Sequence, residues 1–272
     1  MSVNKPVVDR VPTYPGRVRM LPVSGQANTY DMVRADSPVV EGTPINKALL
    51  DQKAYTLTKD VALYVAASGN DTTGNGTSSA PYKTINKALS TIPKTLGGFT
   101  ATIYISAGAY NEVVNVEHFS NGRVLLSAAS SGTAITVTGL YFLNTQYAQI
   151  SSTINLTVGN SGIFADNNSA VISTGTITVN GGEYGIRAEN GTNFTNSGTV
   201  TINNTTIAAV RASNGALRLN TVAGTGNDVA FLSMNAGKVA FTNDSGISAV
   251  TKYQTSGGGR ILSGSQASIP SY

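Results

Sequence analysis

The chain has 272 residues, no cysteine, no tryptophan, 29 glycines, 40% hydrophobic residues and only 12% charged ones. That composition excludes a disulfide framework and a thiolate metal site, and it is too apolar for a disordered chain. The net charge of +4 raises nucleic acid as a partner, but Lys5, Arg10, Arg17, Arg19 and Arg34 lie along the front of the chain without the dense clustering of a phosphate-binding patch, so no nucleic-acid partner is expected.

Residues 1–44 read as an extended, Pro-rich arm. Pro6, Pro12, Pro15, Pro22, Pro38 and Pro44 recur too closely for a helix and remove strand donors. Val7, Val8, Val11, Tyr14, Val18, Met20, Leu21 and Val23 are too apolar for a solvated linker. Such a segment is expected to fold against something else. No apolar run reaches signal-peptide or membrane-span length, so the expectation is a protein made in the cytoplasm, not exported by a visible signal and not inserted in a membrane. Residues 45–60 read as a short helix and linker. Thr43 can cap it, Pro44 suits its first position, and Ile45, Ala48, Leu49 and Gln52 share a face. It is too short to stand alone, so it packs on its own domain or bundles with symmetry-related copies.

A capped β-domain is expected over residues 61–272. A strand from Ala62 to Ala66 runs into a loop of Gly, Asn and Thr, in which Asp71 is expected to cap backbone donors. The loop has neither phosphate-loop nor calcium-loop spacing. A helix follows, with Thr84, Ile85, Ala88, Leu89 and Ile92 forming its buried stripe before Pro93 stops it. It would close the open end of a solenoid, whose first turn otherwise exposes its interior. His118, the lone histidine, stands beside a turn and reads as a surface residue.

From there the same text repeats. Aligned copies place a turn at Thr145, Asn167, Asn190, Asn214, Asn235 and Gly257, at intervals of 21 to 24 residues. A period in that range with strand-like text signals a solenoid. Within each copy the alternation has period two, which means strand. Ile163, Ile186, Val210, Phe231 and Tyr253 share one apolar position, and Ala165, Ala188, Ala212, Ser233 and Thr255 the small position two residues on. A second apolar column runs through Val171, Phe194, Leu217, Val239 and Ile261, and a third through Leu156, Ile177 and Val200. Three short strands per copy predict an all-β parallel β-helix of about seven rungs over residues 100–262, spaced about 4.8 Å apart. Asn and Gly tolerate the left-handed corner between strands, and stacked Asn side chains can hydrogen-bond along the ladder.

The alignment sets Arg187 and Arg211 in one outward column and Asp166 and Glu189 in another. The bland interpretation is an interleaved ion-pair network; the sharper ones are a glycan-contact patch and, with two carboxylates about 5 Å apart, a glycosidase-like pair. No group that would raise one carboxylate's proton affinity is evident, so no catalytic residue is assigned, and no metal or cofactor is expected.

Gly69, Asp71, Gly74, Gly76, Pro81, Tyr82, Thr84, Ile85 and Ala88, followed by Ile103, Ile105, Gly108, Tyr110, Glu112 and Val113, resemble the opening of pectin-lyase-like right-handed β-helix proteins, a superfamily that includes phage tailspikes. Residues 11–51 separately resemble the front of tail-associated proteins in phages and prophages of Gram-positive bacteria. The first resemblance implies the right-handed β-helix fold. The enzymes of that superfamily carry a paired-Asp run with Gly-His-Gly, or a Gln-Asp-Thr with later Asp and Arg, and neither set is present. Together the resemblances imply a structural, non-enzymatic virion protein of a tail. Its residues 1–44 would attach to other tail or baseplate proteins, its β-helix would meet host cell-surface glycan, and the assembly would be a homotrimer. Two rivals stay open: a polysaccharide depolymerase, hydrolase or lyase, with a site between subunits, and a bacterial surface adhesin.

Overall fold

The computed structural model describes residues 11–12, 18–22, 24, 30–34, 38–40, 56–130, 134–157 and 160–264. The chain divides into two units, Met1–Ala54 and Tyr55–Tyr272.

In the first unit β1 (Val11–Pro12) and β2 (Val18–Pro22) run toward β3 (Tyr30–Arg34) and β4 (Pro38–Val40). β2 pairs antiparallel with β3, and β1 with β4. The segment expected to be extended therefore doubles back on itself, with Val18 opposite Arg34 and Val11 opposite Val40. Three of its prolines sit where strands tolerate them: Pro22 ends β2, and Pro12 and Pro38 belong to the short strands of a two-stranded pair. The predicted helix at 45–60 lies, up to residue 55, outside the described residues. Its last residues start the second unit without helix: Thr56 bridges to Thr95, and Leu57 N–H donates to the Thr95 carbonyl at 3.0 Å.

The second unit opens with β5 (Val61–Val65) and helix α1 (Ile85–Ser90). The first turn is β6 (Thr100–Ile105) and β7 (Gly108–Glu117), and the second β8 (Arg123–Ala128) and β9 (Ile135–Leu143). The third comprises β10 (Ala148–Ile150), β11 (Ile154–Thr157) and β12 (Ser161–Asp166). The fourth comprises β13 (Ala170–Ser173), β14 (Ile177–Asn180) and β15 (Tyr184–Glu189). β16 (Asn193–Asn203) and β17 (Ala208–Ser213) make the fifth, and the long β18 (Ala216–Met234) and β19 (Lys238–Thr255) each make a whole turn. β20 (Arg260–Leu262) begins another. Pairing between these strands is parallel, each with its counterpart one turn on, which gives a β-solenoid of about seven turns with three walls. Wall 1 runs from β5 to β20, wall 2 holds β11 and β14, and wall 3 holds β12, β15 and β17; β7 and β9 bend from wall 2 into wall 3.

The interior is the apolar columns. Ile163, Ile186, Val210, Phe231 and Tyr253 stand in register, and the first four are fully buried. Val171, Phe194, Leu217, Val239 and Ile261 line wall 1 in register, also buried. The third column needs a correction: Ile154, not Leu156, lies beside Ile177 and Val200, while Leu156 pairs with Val179. Both residues point inward, and an alternation of period two fixes the side but not a slip of two.

The corner ladder between walls 3 and 1 needs another. Asn144, not Thr145, has the positive φ (47°) shared with Asn167, Asn190, Asn214, Asn235 and Gly257. Thr145 is buried, its hydroxyl donating to the Val116 carbonyl at 2.8 Å. His118 belongs to the same ladder, since Glu117 pairs with Leu143 and His118 has φ 60°. Its Nδ1 lies 3.3 Å from Asn144 Nδ2. The corner asparagines mostly reach other partners: Asn190 Nδ2 donates to Asp166 and Asn235 Nδ2 to the Ser213 hydroxyl. The Asn-to-Asn bond of the expected kind stands at the next corner, where Asn203 Nδ2 donates to Asn180 Oδ1 at 2.9 Å.

The cap forms as its residues imply. Thr84 caps α1, accepting from Lys87 N–H, and Ile85, Ala88 and Leu89 are buried against the first strands β5, β6 and β7. Asp71 accepts from the N–H groups of Lys83 and Thr84 (2.7 and 3.1 Å) and from the Thr84 hydroxyl (2.8 Å). Glu112 reaches from β7 to accept from the N–H groups of Ile85 and Asn86, at 2.7 and 3.1 Å.

Candidate surface patch on wall 3

The outer face of wall 3 is set by register. One outward column reads Asn115, Tyr141, Phe164, Arg187, Arg211, Leu232 and Gln254, each beside the next. The neighbouring column includes Leu143, Asp166, Glu189, Ser213 and Met234. A strand's alternation puts both outside because Ile186 and Ala188 point in.

Three of the four charged residues meet. Glu189 Oε1 lies 3.3 Å from Arg187 Nε and accepts a hydrogen bond from Arg211. The three side chains are only 16–19% exposed, so this is a half-sunk triad and not the freely solvated network a surface ion pair would be. Aromatic rings hold it down: the Arg187 guanidinium lies 4.2 Å over Phe164 and 5.1 Å over Tyr184, and Arg211 lies 5.2 Å over Tyr184. Tyr141 meets Phe164 edge-on, with ring centroids 5.7 Å apart. Asp166 serves a different purpose. Its Oδ1 accepts from Asn167 N–H and from Asn190 Nδ2, both at 2.8 Å, which ties the corner of one turn to the next.

The two carboxylates thus have separate partners, one held by two arginines and the other by the corner amides. The aromatic members Tyr141, Phe164 and Tyr184 escaped a search that followed charge alone. Phe164 could have been found by stepping the Arg187 column back one copy. The patch brings partly exposed rings and guanidinium groups together, the residue types that contact sugar faces and hydroxyls. No group of His, Cys, Asp and Glu able to hold a metal ion occurs among the described residues.

Residues 67–120 match a family described as "Protein of unknown function (DUF1565)", a family associated with pectin-lyase-like β-helix proteins. Comparison with curated proteins and comparison with solved structures both gave no match. The matched stretch contains the cap and the first turn. Within it Gly69 admits no side chain, because a Cβ there would sit 2.3 Å from the Tyr82 carbonyl oxygen, and Asp71, Thr84 and Glu112 all serve the α1 terminus. The chain is a capped parallel β-solenoid similar to that class, and such a fold suits a surface-binding or adhesin-like role.

Proposed function

We propose that this protein is a non-enzymatic structural component of a phage or phage-like tail, attached through residues 1–44 to neighbouring tail or baseplate proteins and presenting its solenoid to the host surface. The observation that carries this reading is that the solenoid is capped from within. α1 and its Asp71 and Glu112 ties belong to the second unit, while Met1–Ala54 forms a unit of its own. The front of the chain is therefore not needed to finish the β-helix, which supports a separate role in attachment, in keeping with the resemblance of residues 11–51 to tail-associated proteins. The wall 3 patch supplies a surface for host glycan.

The assembly is a homotrimer organised by the front of the chain. Sedimentation of the purified full chain tests this, and a monomer would remove the trimer. Deleting residues 1–44 is expected to leave the β-sheet circular dichroism and melting of the solenoid intact while abolishing incorporation into particles. Normal incorporation of the truncated chain would refute the attachment role.

A further inference from the structure

The outer face of wall 1 carries charge of one sign. From β6 to β20 its outward positions hold Arg123, Arg218, Lys238 and Arg260 and no acidic residue. Arg123 is engaged with the Gln149 side chain at 3.1 Å. The other three are exposed and have no ion-pair partner among the described residues. Lys238 and Arg260 stand directly beside each other on adjacent strands, an arrangement that costs stability unless something neutralises it. The carboxylate next along β19, Asp244, is taken by Lys252 at 3.1 Å and by the Tyr253 hydroxyl.

Two of these cations, Arg218 and Lys238, line a groove, and Arg260 stands beside Lys238. The cavity measures about 420 Å³. Its lining mixes apolar side chains from Leu219, Ala240, Phe241 and Leu262 with the hydroxyls of Thr242 and Ser263, and its only charges are the positive ones of Arg218 and Lys238. Phe241 is only 4% exposed, so the groove shows no aromatic face on which a nucleobase could stack. We propose that this groove is a second binding site, separate from the wall 3 patch, for an acidic polysaccharide. Its phosphate or carboxylate groups pair with Arg218, Lys238 and Arg260, and a sugar ring rests on Ala240 and Leu262. Guanidinium forks suit either anion, and the missing counter-charge is what the polymer supplies. The inference goes beyond the tail function and holds whichever structure bears the protein.

The test is interferometry on the immobilised full chain with phosphorylated dextran, carboxymethyl dextran, unmodified dextran and a single-stranded oligonucleotide. Binding to one or both acidic dextrans is expected, weakening as salt is raised, and the stronger of the two identifies the anion. The triple variant R218Q/K238Q/R260Q is expected to bind about tenfold or more weakly, while K83Q, which removes a cation at the capped end, binds as the parent does. All three positions point outward, so the circular dichroism of the triple variant should match the parent and its melting temperature should be no lower; R218K/R260K, which keeps the charge, should retain most of the binding. Equal binding of unmodified dextran, tighter binding of the oligonucleotide, an unchanged triple variant, or no binding to either acidic dextran would each overturn the proposal.

Discussion

Ile186 has Ile163 on one side and Val210 on the other, and all three are fully buried. An aspartate in its place would leave a carboxylate with apolar neighbours above and below and no donor, a cost of several kcal/mol, about the whole stability of a small domain. Ile186→Asp is expected to give insoluble or unfolded protein; a soluble variant with the parent's circular dichroism would contradict the inward register. Glu189 is the counter-example of a charge the structure needs. Its removal leaves Arg187 and Arg211 in register, half-buried and without an anion. Glu189→Gln should therefore lower stability by about 1–3 kcal/mol in urea denaturation. Because part of the loss is repulsion between the arginines, it should shrink in high salt. An equal loss at all ionic strengths would mean that packing, not charge, is what Glu189 contributes.

At the scale of elements, the cap concentrates the acid–base behaviour. Burial pushes the Asp71 carboxyl up, but the Thr84 hydroxyl, the N–H groups of Thr84 and Lys83 and the Lys87 charge together outweigh it and hold the group below its ordinary value of 3.8. A depressed acid stabilises the fold above its unfolded value, and that stabilisation disappears as pH falls below 3.8 through the folded value. Glu112 goes the other way. Burial raises it above 4.5 even though two helix N–H groups and the Asn86 side chain favour its charge, and the Asp71 charge adds to the rise. The folded chain then takes up this proton before the unfolded chain does, so lowering the pH through the raised value toward 4.5 adds stability, and raising it again removes it. Melting temperatures should separate the two. The parent-minus-E112Q difference should grow as pH is lowered toward 4.5, and the parent-minus-D71N difference should collapse below 3.8. Opposite slopes would show that the charges sit elsewhere in the cap.

Over the whole molecule the three walls have different outer chemistry on one repeated interior. Wall 1 is cationic, wall 3 holds the aromatic and ion-pair patch, and wall 2 carries an uncharged outward column of Thr136, Asn155, Thr178 and Thr201. A glycan-cleaving site needs an acid and a base or nucleophile around one bond, with proton affinities set apart. Glu189 is bound by two arginines and Asp166 by corner amides, so each carboxylate is engaged with its own partners and the two do not form a pair around one bond. Purified protein is therefore expected to release no reducing ends or unsaturated products from host envelope glycans, and D166N/E189Q to change adsorption at most. Cleavage that vanishes in that double variant would establish a depolymerase instead.

What the sequence alone determined is the repeat: its period, the inward columns through Ile186 and Phe194, the left-handed corners and the capping helix. Each is a local consequence of alternation, of backbone freedom at Asn and Gly, or of helix periodicity, and a solenoid multiplies local rules without rearranging them. Tertiary structure alone decided what depends on exact register and on partners distant in the chain. It set Ile154 rather than Leu156 beside Ile177, put the corner at Asn144, and brought His118 into that ladder, because corners of unequal length hide the alignment. It paired Val18–Pro22 with Tyr30–Arg34 and Val11–Pro12 with Pro38–Val40, both antiparallel. It also brought Phe164 and Tyr184 under the arginines and left Lys238 beside Arg260. Outward side chains carry no burial pattern, so the repeat can set them in columns, but the packing of one turn on the next decides which of them make contact.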